Sequence, residues 1–199
     1  MPDSSAESAG AQAQAVATAA APTAAGVPSE VLLVERMSVR YDSYQDRIAL
    51  DIADQAGALA RLWLTRRGAN VLVQTTVSRV EAFVAARIAA QDVDPSAAKP
   101  MRESALAAQQ LTARLTQRKA QAVDVPAGTT QHLVTAINMT THPHRIQIDF
   151  RSGDTTPAQV LLQSAELFQW LAAVQRQYLK AGWSLEAWPG WFTQHLQNR

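Results

Sequence analysis

The chain has 199 residues, 18 Lys+Arg against 17 Asp+Glu, a net charge of +1 and no cysteine. The missing cysteine excludes disulfides, thiolate zinc sites, thiol catalysis and cysteine-held iron–sulfur clusters. The balanced charge argues against a binder of phosphate backbones, and no run of about 18 apolar residues could span a bilayer. A chain without thiols fits a reducing compartment, so the expectation is a cytoplasmic protein.

Ala (38) and Gln (19) together exceed a quarter of the chain, and they are unevenly spread. Residues 1–28 hold 11 Ala and only two charges, Asp3 and Glu7. Such a stretch cannot bury enough apolar surface to offset the entropy of ordering, and it reads as a disordered tail. It does not read as a signal peptide, because Asp3 and Glu7 stand where a positive n-region belongs.

Residues 29–92 read as a β-β-β-α unit. Leu33, Glu35, Met37, Val39 and Tyr41 alternate with Val34, Arg36, Ser38 and Arg40, the period of a strand with one buried face. Asp42-Ser43 turns the chain, and Ile48, Leu50 and Ile52 form the inner face of a second strand. Asp54 to Gly57 supplies a turn before a third strand from Leu59 to Leu64. Val73, Val77, Val80, Val84 and Ile88 then fall on one helical stripe.

Residues 93–131 form a connector. Asp94-Pro95-Ser96 and Pro100 break the first helix, and a second is expected from Met101 to Ala122, with Leu106, Leu111 and Leu115 as a thin apolar stripe. Residues 132–182 repeat the first pattern: strands over Leu133–Met139, Arg145–Phe150 and Ala158–Leu162, then a helix capped at Ser164. Its buried stripe is Leu167, Leu171, Val174 and Tyr178, and Gly182 stops it. Residues 183–199 are a Trp-rich tail.

The repeat has a register. Arg47-Ile48-Ala49-Leu50-Asp51-Ile52 recurs 98 residues later as Arg145-Ile146-Gln147-Ile148-Asp149-Phe150. Leu33-Val34 and Met37 meet Leu133-Val134 and Ile137 if the first hairpin loop is two residues longer. The fold class expected is therefore α+β: tandem duplicated β-β-β-α units with a pseudo-twofold relation, joined by a connector helix.

No P-loop, G-x-G-x-x-G, G-x-S-x-G or H-E-x-x-H is present, so no enzyme and no cofactor is expected. Asp51 and Asp149 are repeat-equivalent carboxylates, and each is expected to pair with the Arg four residues before it, Arg47 or Arg145. His142-Pro143-His144 brings two imidazoles together, fewer ligands than a metal ion needs. Candidate partner contacts are Tyr44 and Asp46 on the first hairpin, and Arg61, Arg66 and Arg67 at the entry to the first helix. The helix dipole disfavours cations there, which invites an acidic partner. Trp188 and Trp191 are either an anchor for a partner or a seal over the core.

The phrases Y-D-x-Y-Q-D-R-I at 41–48 and R-L-W-L-T-R-R at 61–67 resemble those of a group of uncharacterised proteobacterial proteins. That resemblance covers roughly residues 31–67 and implies a bacterial origin but no activity. The functional expectation is a non-catalytic accessory or scaffold protein acting through a protein partner, with nucleic acid as the less favoured ligand. The nucleic-acid alternative would use Arg61, Arg66 and Arg67 with Arg114 and Arg118.

Overall fold

The computed structural model describes residues 31–91, 94–116 and 121–197. The expected tail over 1–28 and Arg118 lie outside these residues. Seven strands and four helices follow in order: β1 (Leu32–Asp42), β2 (Arg47–Asp54), β3 (Leu59–Thr65), α1 (Arg66–Ala89) and α2 (Pro95–Leu115). After these come β4 (Gln131–Leu133), β5 (Ala136–Thr141), β6 (Arg145–Ser152), β7 (Thr155–Gln163), α3 (Ser164–Ala181) and α4 (Gly190–Gln197). The fold is α+β, and the order β-β-β-α occurs twice.

The strands form one sheet in the order β4-β3-β2-β1-β7-β6-β5. Each half is an antiparallel meander, β1-β2-β3 and β5-β6-β7. The halves join edge to edge through two parallel pairings. The start of β1 pairs with β7, Leu32 opposite Ala158, and β4 pairs with β3, Leu62 opposite His132. Successive residues then link the two ends of the sheet. The Val134 N–H donates to the Trp63 carbonyl at 2.9 Å, and the Thr135 N–H donates to the Arg151 carbonyl at 2.8 Å. The chain therefore passes from one outer strand directly to the other, and each bond extends a pairing that strand already makes, β4 with β3 and β5 with β6.

The two hairpins differ in register by the two residues expected. Met37 lies opposite Ile52 and Ile137 opposite Phe150, so the first hairpin loop is longer by two residues. Two expectations change. A bulge between Val34 and Arg36 reverses the alternation of β1. Leu32 and Val34 pack on the core together with Met37, Val39 and Tyr41, whereas Leu33 points outward and is 59% exposed. An extra residue in one strand shifts all side chains beyond it to the other face, which strict period-2 counting misses. In the second half the expected strand Leu133–Met139 is two strands, β4 and β5, divided at Val134-Thr135.

Each helix covers the seam. α1 lies against β2, β3 and β5, and α3 against β6, β7 and β1, so each reaches the first strand of the other half. The stripe from Val73 to Ile88 is buried as expected, as are Leu167, Leu171, Val174 and Tyr178. Thr65 caps α1, its hydroxyl accepting from the Gly68 N–H at 3.1 Å. α3 begins one residue earlier than its expected cap: Gln163 is the N-cap, and its N–H donates to the Glu166 carboxylate at 2.8 Å. Gly182 ends α3 at φ 66, a left-handed conformation that costs glycine no steric strain.

The connector helix also differs from expectation. α2 starts at Pro95 under an Asp94 cap, a position compatible with proline, and continues through Pro100, which removes a backbone bond and crowds the preceding turn without ending the helix. Its buried face is Leu106, Gln110 and Ala113, at spacings of four and three, while Leu111 and Leu115 are exposed. Small residues let α2 approach α3, which counting large apolar side chains did not foresee. Beyond α2, Val123 and Val125 cross the outer face of the sheet onto Ala53 and Leu59, and the Val123 N–H donates to Ser38 Oγ at 2.7 Å. This second cover buries the outer face of β2 at Ala53, and Arg40 and Arg61 lie on Asp51 of the same face.

Candidate functional site

The register of β2 and β3 decides which sequence candidates meet. Arg47 lies opposite Thr65, so the first hairpin stands beside the start of α1. Tyr44 at the hairpin tip is 97% exposed, and Arg66 and Arg67 in the first turn of α1 are exposed. No acidic residue occupies that turn. Tyr44, Asp46, Arg66 and Arg67 thus share one end of the sheet, joined by Arg47, which was expected as the partner of Asp51. The signal that could have placed Arg47 there was the hairpin register itself.

Asp46 is not a free contact residue. It adopts φ 50, and its Oδ1 accepts from the Tyr41 hydroxyl at 2.7 Å and from Trp183 Nε1 at 2.9 Å. These bonds, the tyrosine's first, hold the Asp46 carboxyl below its ordinary range, with the Arg66 charge adding to them. The same bond raises the Tyr41 hydroxyl. The turn is closed by Asp42, whose Oδ1 accepts from the Tyr44 and Gln45 N–H groups at 3.0 Å each.

Arg61 lies elsewhere. It faces Asp51 across the β2–β3 ladder, and its guanidinium donates to that carboxylate through Nε and, at 3.3 Å, through Nη2. Arg40 Nε donates to the second oxygen at 2.7 Å. Asp51 therefore pairs with cross-strand arginines and not with Arg47. Four residues along a strand span about 13 Å, whereas a directly opposite side chain is about 5 Å away. The equivalent Asp149 accepts from Gln147 and Gln159 Nε2 at 3.0 and 2.8 Å, not from Arg145. Asp51 and Asp149 each serve their own half, and neither faces the other as an acid/base pair.

Trp188 and Trp191 are 6% and 8% exposed. Trp188 meets Tyr178 edge-on at 5.4 Å and Phe192 at 5.1 Å, and Trp191 Nε1 donates to Glu81 at 2.7 Å. They are reachable by a partner only if the C-terminal segment leaves the core. Tyr178 lies beneath them, its hydroxyl donating to Asn70 Oδ1 at 2.8 Å, and burial pushes its pKa well above the ordinary tyrosine value.

At the seam, β1 parts from β7 after Val34 and leaves an open groove of about 780 Å³ floored by Trp170 and Ala173 of α3. Arg36, Arg114 and Arg176 line it together with Glu35 and Glu166. Arg114 thus belongs to the groove, on a different element from Arg66 and Arg67. His142 Nε2 lies 3.4 Å from Gln147 Oε1. Among the described residues no group of three His, Asp or Glu could hold a metal ion. No described helix is long and apolar enough to cross a membrane.

No protein family, curated protein or solved structure matches the chain.

Proposed function

We propose that the protein is a non-catalytic accessory or scaffold protein that binds a protein partner through the end of the sheet carrying Tyr44, Arg66 and Arg67. The observation that carries this reading is the placement of a fully exposed tyrosine beside two exposed arginines on a hairpin tied to the core. Tyrosine and arginine contribute disproportionately at interfaces, because they bury large area and form directed bonds. Cations in the first helical turn oppose the dipole and gain from a neighbouring carboxylate, so the partner surface is acidic. The cysteine-free composition supports a cytoplasmic setting, and the two phrases shared with proteobacterial proteins support a bacterial one.

The nucleic-acid reading is less favoured. It needs Arg61 and Arg114 on the same surface as Arg66 and Arg67, yet Asp51 neutralises Arg61 and Arg114 lies in the seam groove. Among the described residues that line the groove, none pairs a hydroxyl or amine nucleophile with a base.

Affinity capture with mass spectrometry, run side by side on wild type and Arg66→Glu/Arg67→Glu, tests the proposal. The variant loses the captured protein while its Tm stays level or rises, since each reversal at a helix start contributes about 0.3–1 kcal/mol. Equal capture by both proteins contradicts the surface. Nucleic acid in its place would show as a low-salt mobility shift that fades steeply with added salt.

A further inference from the structure

We infer that Asp46 and Trp183 are positioning residues for this surface, forming a latch through which the C-terminal segment sets how the first hairpin presents Tyr44. The inference rests on the proposed partner surface. Trp183 is buried and held edge-on by Tyr178 at 5.2 Å and Tyr41 at 5.8 Å. Its N–H donates to the Tyr178 carbonyl at 3.0 Å, just past the stop at Gly182. The indole donor is therefore fixed before it meets the hairpin.

The acceptor is not fixed in that way. Asp46 is exposed on a four-residue turn whose own bonds come from Asp42. An exposed carboxylate would ordinarily take its bonds from water. Here it takes two from side chains, one of them 137 residues away in sequence. A left-handed φ at a residue other than glycine costs energy unless its surroundings hold it, and these two donors do so. The carboxylate also lies within the field of Arg66, so the latch fixes both the shape of the tip and the charge beside it.

The consequence is a surface whose order depends on residues that need not touch the partner. Amide hydrogen exchange on the full chain reads this directly. Asp46→Gly keeps the left-handed turn backbone permitted and removes the side chain with its carboxylate, and Tyr41→Phe, which leaves the backbone as it is, removes one of the two donors. Trp183→Phe keeps a ring and removes the other donor. In all three, exchange at Tyr44 to Arg47 quickens about tenfold while Ile48 to Ile52 keep wild-type protection. Unchanged exchange at the tip of Asp46→Gly overturns the inference, and that variant decides the matter if Trp183→Phe loosens the whole fold. A loosened tip with undiminished partner capture leaves the latch standing and overturns the surface reading on which its role depends.

Discussion

Ending the chain at Gly182 abolishes cooperative folding. The truncation removes Trp183, Trp188, Trp191 and Phe192, all buried and the last wholly so. They form a continuous aromatic stack over Tyr178 and Phe168, with ring centroids 5.1 to 6.0 Å apart. Losing one large buried aromatic costs about 3–5 kcal/mol. A domain of this size has only about 5–15 kcal/mol in total, so the loss of four exceeds what it holds. The segment also supplies polar partners from the far side of the molecule: Gln110 Nε2 donates to the Phe192 carbonyl at 3.2 Å, and Trp191 bonds Glu81. A thermal melt by circular dichroism of residues 1–182 shows no sharp transition. A sharp transition near the wild-type Tm would mean the tail is dispensable, and would free Trp188 and Trp191 to act as an anchor.

The second large effect lies on the outer face of the sheet. Asp51→Ala destabilises the protein by about 3–5 kcal/mol, because it strands a charge in a dry place. The Asp51 side chain is 4% exposed and that of Arg61 only 16%, so Arg61 cannot regain water when its partner goes. Arg40, at 43%, can turn outward. The Arg61 guanidinium also sits 5.6 Å from the centre of the Trp63 ring, a cation–π contact that offsets only part of the loss of the carboxylate. The equivalent Asp149→Ala is milder, about 1–3 kcal/mol, since it strands two neutral amides. Urea denaturation of both variants yields the difference. Adding Arg61→Met to Asp51→Ala recovers part of the loss, as removing both members of a buried pair spares the uncompensated charge. Equal costs for Asp51→Ala and Asp149→Ala would refute the charged character assigned to the first site.

Much of this architecture is legible in the residues, for reasons that differ by element. The helical stripes of α1 and α3 are long, and their periods repeat often enough to fix the buried face. The strand phrases sharing Arg-Ile and Asp recur at one offset, and their register follows. Strict alternation fails in β1 before Glu35, where Leu32 and Val34 take the inner face, because a bulge adds a residue without any compositional mark. The pairing of Asp51 with Arg40 and Arg61 was hidden because it crosses strands, and spacing along one strand says nothing about the neighbour. α2 buries the expected Leu106 but completes its face with Gln110 and Ala113, which carry little hydrophobic signal, and leaves Leu111 and Leu115 exposed. The candidate site shows the same division. Tyr44, Arg66 and Arg67 were visible as polar clusters near a turn and a helix start. Trp183 joined them only once the fold had brought position 183 to position 46.

The proposed partner surface is the end of the sheet that carries Tyr44, Arg66 and Arg67. Its most direct measurement is the affinity of the purified captured partner for wild type and for Arg66→Glu/Arg67→Glu, by calorimetry at physiological salt. Loss of two charge-assisted contacts, each contributing about 1.5–3 kcal/mol, weakens binding by two orders of magnitude or more while the Tm does not fall. Binding within a factor of two of wild type, with the fold intact, contradicts the assignment of this surface.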